Sequence, residues 1–293
     1  MKKMKKIAAL MISTLMILCA LSPIASAEGD FSGTCGAKVR WDYVISNNTL
    51  TISGKGAMNE YGSGDDAPWS WLFQDEGYVL RKIVVKEGVT SIGNHTFSGL
   101  AEDEDSISVS LPKSLTRIGD YAFSVNYIKT FTVSKNVKTI GRGAFYCADV
   151  KEFKVAKGNK YFSVKSGVLL NKKKTELIAY PLGRKGKSYT VPSSVKTIKG
   201  YAFCGNEAGI GGWCTLSSIT FPSSLKKIEG HAFEWTDIKK INFKGKPPTL
   251  GNEVFAGVEA TVTYPKKYKS SWNSWIDAKK WKAEDTHIKF KAV

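Results

Sequence analysis

Six near-copies of one short phrase constrain this chain more than any other feature. Ile92-Gly93-Asn94-His95-Thr96-Phe97 recurs as Ile118-Gly119-Asp120-Tyr121-Ala122-Phe123 and as Ile140-Gly141-Arg142-Gly143-Ala144-Phe145. It returns as Ile198-Lys199-Gly200-Tyr201-Ala202-Phe203, as Ile228-Glu229-Gly230-His231-Ala232-Phe233 and, degenerately, as Leu250-Gly251-Asn252-Glu253-Val254-Phe255. The closing phenylalanines are 26, 22, 58, 30 and 22 residues apart. Four intervals lie at or near the period of a short-coil solenoid, about 20–29 residues. The 58 must hold an insertion.

Each copy has a second half upstream. Ile128-Lys129-Thr130-Phe131-Thr132-Val133 is typical, and Leu216 to Pro222 and Ile238 to Phe243 match it. The last residues of these segments alternate apolar and polar, the period of a strand with one face inward. Pro112, Pro192 and Pro222 end strands because proline cannot donate the next ladder bond. One such unit cannot bury its apolar face alone, but stacked neighbours can. Phe97, Phe123, Phe145, Phe203, Phe233 and Phe255 are therefore expected to form one internal column in a continuous core. Burying each contributes roughly 1.5–3 kcal/mol.

These residues closely resemble the BspA-like, or Treponema-type, leucine-rich-repeat family, whose signature reads L-x-x-I-x-I-P-x-x-V-x-x-I-G-x-x-A-F. The match runs from about Val79 to Tyr264. The head resembles that family's N-terminal module through Gly33-Thr34-Cys35-Gly36, Leu50 to Met58 and Pro68-Trp69. The resemblance implies a β-rich solenoid, a curved leucine-rich-repeat stack on a secreted or surface-exposed protein. It also implies adhesion or protein binding in several relatives, no catalytic residues and no cofactor.

The expected map has a signal peptide over 1–27, an N-terminal β capping module over 28–78, repeats over 79–265 and a C-terminal cap over 266–293. In the capping module, Trp41 to Ile45 and Thr49 to Ser53 read as a hairpin turning at Asn47-Asn48. Its tryptophans are suited to covering the open end of the stack. The insertion, about 157–187, reads as a β-hairpin of Gly167 to Leu170 and Leu177 to Tyr180 with a basic tip. The tail, rich in Trp and Lys, reads as a terminal strand followed by a short helix.

The leader is read from Lys2, Lys3, Lys5 and Lys6, the apolar run Ile7 to Leu21, and the cleavable Ala25-Ser26-Ala27. No second apolar run of spanning length follows, and no sorting motif ends the chain. The expectation is a protein secreted, or held non-covalently at the cell surface. Four cysteines follow the leader: Cys35, Cys147, Cys204 and Cys214. They are too few for a disulfide scaffold. Cys204 and Cys214 could close a local loop or stay as buried thiols.

Chemistry-bearing patterns are scarce. His95 and His231 share a repeat slot with Tyr121, Gly143 and Tyr201, which reads as a tolerant turn position. His287 has no motif around it. Asp65-Asp66 and Glu102-Asp103-Glu104-Asp105 lack the alternating ligand spacing of a calcium loop. No catalytic or metal-ligating set is expected.

Two binding surfaces remain. Polar residues alternating with the core along the strands would form one outward row of Lys82, Ser108, Thr130, Glu152, Ser218 and Lys240. Val84, Ser110, Thr132, Lys154, Thr220 and Asn242 would form a second. These are the candidate contacts for an extracellular protein. The other surface is basic. From Glu28 to Asp105 there are 6 basic and 13 acidic residues, but from Ser106 onward 33 and 13. Lys172-Lys173-Lys174, Arg184, Lys185, Lys187, Lys266, Lys267 and Lys269 are candidate contacts for an anionic glycan or envelope polymer, and Lys279-Lys280-Lys282 adds a group. A strongly basic field draws polyanions. Nucleic acid is a poor fit, since no recognition fold is visible.

Overall fold

The alternating half of each repeat and its short Val-x-x-Ile half build different walls of one coil. In the computed structural model, which describes residues 30–100, 106–205, 215–279, 281–283 and 285–293, these halves stack into two facing walls, a front sheet in three segments and a rear sheet in two, with the repeat strands parallel. The front sheet takes the alternating segments, such as Lys82–Val85 and Lys240–Phe243, whose Ile83, Val85, Ile241 and Phe243 point inward. The rear sheet takes pairs such as Arg117–Ile118 and Lys227–Ile228. The result is a β-solenoid of about eight turns with little helix. The expected leader and Glu102 to Asp105 lie outside the described residues.

The head is a three-stranded antiparallel meander, Phe31–Gly36, Val39–Val44 and Thr49–Gly54, one strand more than the sequence reading. Its last strand pairs in parallel with Lys82–Val85, which joins it to the stack. Trp69 is fully buried and its ring stacks on Phe97 at 5.6 Å. That indole closes the first coil, and solenoids need such caps to shield their end faces.

Rings continue from there. Phe97 stacks on Phe123 at 5.3 Å, and Phe123 on Phe145 at 6.2 Å. Phe145 then meets Phe131 and Phe153 edge-on, at 4.6 and 4.9 Å. A second run begins at Tyr180, which stacks on Phe203 at 4.9 Å; Phe203 on Phe233 and Phe233 on Phe255 follow at 4.7 and 5.8 Å. So the rings form two columns where one was expected, and the core forms two clusters.

The insertion is the reason. It contains three antiparallel strands, Phe162–Lys165, Val168–Asn171 and Glu176–Ala179, the first of which the sequence reading lacked. Alternation in the middle strand sends Leu169 to the first core and Val168 and Leu170 to the second. Glu176–Ala179 then enters the rear sheet, with Leu177 opposite Ile198. The Tyr180 N–H donates to Ala202 O at 2.8 Å. Glu176 to Tyr180 thus stands in for an Ile-to-Phe phrase, and the insertion ends as a rung of the solenoid.

At the far end Glu259–Tyr264 is followed by the helix Lys269–Asp277. Trp272 on that helix is fully buried, stacks on Tyr264 at 4.8 Å and donates its Nε1–H to Gly245 O at 3.1 Å. The chain then adds a strand the sequence reading did not contain, His287–Ala292, parallel to Glu259–Tyr264.

Candidate interaction surface

Because side chains on a strand alternate, every core residue of the front sheet is flanked by one that faces out. Lys82, Ser108, Ser110, Thr132, Glu152, Lys154 and Lys240 are exposed; Val84, Thr130, Ser218, Thr220 and Asn242 are half-buried. Register aligns them in blocks. Lys82 and Val84 stand opposite Ser108 and Ser110. Thr130 and Thr132 stand opposite Glu152 and Lys154, and Ser218 and Thr220 opposite Lys240 and Asn242.

The blocks do not form one ladder. Between Ser108–Ser110 and Tyr127–Val133 only the bridge Ile107 to Ile128 is made. After Asp149–Val155 the insertion intervenes, with Phe153 N–H donating to Gly167 O at 3.1 Å. The uninterrupted stretch is the C-terminal one, five parallel strands from Ser188–Thr190 to His287–Ala292. There the rows extend to Ser188, Thr190, Thr261, Thr263, Lys289 and Lys291. Sequence reasoning missed these six, although Tyr189-Thr190-Val191 and Thr261-Val262-Thr263-Tyr264 alternate as the others do. Hydrogen bonds run along the second row: Asn242 Nδ2 donates to Thr220 Oγ1 at 3.5 Å, and Thr263 Oγ1 donates to Asn242 Oδ1 at 2.5 Å. Side chains tied in this way lose little further freedom when a partner docks.

The basic candidates are spread out. Lys172, Lys173 and Lys174 are exposed on the turn after Val168–Asn171, where Lys172 Nζ donates to Asn159 O at 2.9 Å. Arg184 donates to Ser166 O at 2.7 Å, at the other end of that strand, with Lys185 and Lys187 exposed after it. Lys266, Lys267 and Lys269 are exposed on the turn and helix start that follow Glu259–Tyr264, Lys267 over the Tyr268 ring at 5.0 Å. Asp65 and Asp66 serve their own turn, accepting from Gln74 Nε2 at 2.9 Å and Ser63 N–H at 2.8 Å.

The turn slot read as tolerant has a sharper requirement. His95, Tyr121, Gly143, Tyr201, His231 and Glu253 all hold positive φ, between 51 and 60°. Left-handed backbone there lets alternate amides donate to the next coil, as His95 and Phe97 do to Asp120 O and Ala122 O at 2.8 and 2.9 Å. The side chains form an outer ring column: His95 on Tyr121 at 5.0 Å and Tyr201 on His231 at 4.9 Å. Arg142 bridges the coils on either side of the insertion, stacking over Tyr201 at 4.8 Å and donating to its hydroxyl at 3.0 Å.

Cys35, Cys147 and Cys204 are buried thiols. Burial, with Asp42 nearby, pushes Cys35 up to about 12. The Cys147 thiol and burial push Cys204 far above the ordinary range. Cys214, the alternative partner of Cys204, lies outside the described residues.

Coils of this length, a ladder of inward Ile and Phe, and outward polar rows define a leucine-rich-repeat β-solenoid. The BspA type leucine rich repeat region matches residues 72–181 and 183–270 in six copies, and the chain belongs to that family. No curated protein matches it in sequence. Among solved structures it is similar to a leucine rich cell surface protein from Faecalibacterium prausnitzii, at 16% identity and a TM-score of 0.50, covering 92% of this chain and 97% of that one. A leucine-rich repeat protein from Eubacterium ventriosum matches at 20% identity and a TM-score of 0.43, covering 80% and 79%. The pneumococcal vaccine antigen PcpA matches at 15% identity and 0.41, covering 91% and 100%. No helix among the described residues is long and apolar enough to cross a membrane.

Proposed function

We propose that this chain is a secreted or surface-held interaction module that binds an extracellular protein through the outward rows of its front sheet. The observation that carries this reading is the C-terminal block, where Thr190, Thr220, Asn242 and Thr263 stand in register across four parallel strands. Membership of the BspA-type family supports it, since leucine-rich-repeat solenoids generally serve as non-enzymatic binding scaffolds. So does the description of the Faecalibacterium protein as a cell surface protein.

The test is capture from extracellular-matrix extracts by the immobilised chain, compared with its Thr132→Trp and Thr220→Trp variants. A bulky indole in the row is expected to abolish capture while leaving the melting temperature within about 2 °C, since both positions face outward. Capture that survives both substitutions removes the front sheet as the site. The basic body favours a second reading, a structural binder of envelope or host polyanions. Retention on heparin that modest salt abolishes, with no protein captured, would favour it by screening.

A further inference from the structure

The outer turn column ends in a cluster that partner binding on the front sheet does not use. We propose that His231, Glu234 and Glu253 form a binding site for one divalent cation of the zinc class. Their ligand atoms all lie within 4.8 Å of one another. His231 Nδ1 is 3.2 Å from Glu234 Oε2 and 3.6 Å from Glu253 Oε2. Among the described residues no Lys or Arg forms an ion pair with either carboxylate. Two carboxylates therefore converge on one imidazole, and a dication supplies the missing countercharge.

The site is held in place before any ion arrives. The His231 ring lies nearly parallel to Tyr201, at 5° and 4.9 Å. His231, Phe233 and Trp235 N–H groups donate to Asn252, Val254 and Ala256 O at 3.0, 3.0 and 2.8 Å, which fixes Glu253 against the coil before it. The Cys204 thiol donates to Glu234 Oε2 at 3.9 Å.

The repeat supplies its own controls. The slots of His231, Glu234 and Glu253 hold His95, Ser98 and Tyr121 in an earlier pair of coils, and Tyr121, Ser124 and Gly143 in the next. Neither set offers carboxylates. One imidazole nitrogen with two carboxylate oxygens suits a four-coordinate zinc-type ion with water in the remaining position. Calcium and magnesium prefer all-oxygen shells of six or more.

The experiment is calorimetric titration of the metal-stripped full chain with zinc chloride, alongside thermal melting. One ion per chain and a raised melting temperature are expected, with no comparable heat from calcium or magnesium chloride. Glu253→Gln, at a side chain 57% exposed, should weaken binding on the order of tenfold or more. His231→Tyr should abolish it, and tyrosine already fills this slot at positions 121 and 201 with the same backbone. Absence of zinc binding, or binding that both variants leave unchanged, overturns the assignment. The readout needs no partner protein, so it stands or falls apart from the front-sheet reading.

Discussion

Left-handed backbone costs an L-residue about 1–2 kcal/mol, yet five non-glycine residues of the turn column adopt it at equivalent positions. His95, Tyr121 and His231 offset the cost through a coil-to-coil amide bond, and the aromatic ones, Tyr201 included, through a ring contact. Gly143 in that slot was the one sequence hint of the conformation, and the mixture of Tyr, His and Glu around it concealed the rule. At the same scale, thiol chemistry is muted by burial. Cys35 and Cys204 should resist iodoacetamide in the folded chain at about pH 8, where an unperturbed thiol with a pKa near 8.5 reacts. Site-resolved mass spectrometry showing rapid labelling of either in the native state would contradict their packing.

Elements differ in how far the repeat dictates them. The Gly of the Ile-Gly phrase is needed where coils approach closely: a Cβ on Gly119 would sit 2.5 Å from the Gly93 carbonyl carbon and oxygen. Lys199 and Glu229 replace that glycine in two coils and form an ion pair at 3.0 Å instead. Burial pushes the Glu229 carboxyl up, but the hydrogen bond and charge of Lys199, with hydrogen bonds from Lys227 and the Gly200 N–H, outweigh it, so its pKa falls below the ordinary value. A lowered folded pKa gives stability that is full above the unfolded value, about 4.3, and is lost as pH falls through the folded one. The destabilisation caused by Glu229→Gln should therefore shrink between neutral and strongly acidic pH, as read by chemical denaturation at each pH. The insertion provides the second case. Tyr180 fills a phenylalanine position above Phe203, so Tyr180→Ala should cost about 3–5 kcal/mol, like a core Phe truncation. Tyr161→Ala, exposed in the same insertion, should change stability by no more than about 0.5 kcal/mol. Equal losses would mean that the insertion is not part of the stack.

For the molecule as a whole, position along the stack sets how much a ring is worth. Phe145 touches Phe123, Phe131 and Phe153, whereas Phe255, at the end of the second column, has Phe233 as its ring neighbour. Phe145→Ala should lower the melting temperature more than Phe255→Ala, and equal shifts would count against the stacking account. The repeating phrases by themselves determined the solenoid, its inward Ile and Phe, and the outward polar rows, because stacking identical units makes local alternation and global burial the same fact. What only the tertiary structure decided lies where repetition lapses. The insertion's partner in the rear sheet, the division of the core at Leu169 and Leu170, and the final strand His287–Ala292 depend on long-range pairing that no local period encodes. The meeting of His231 with Glu253, 22 residues on, likewise depends on the register between coils, which the backbone ladder sets and a single coil's sequence cannot express.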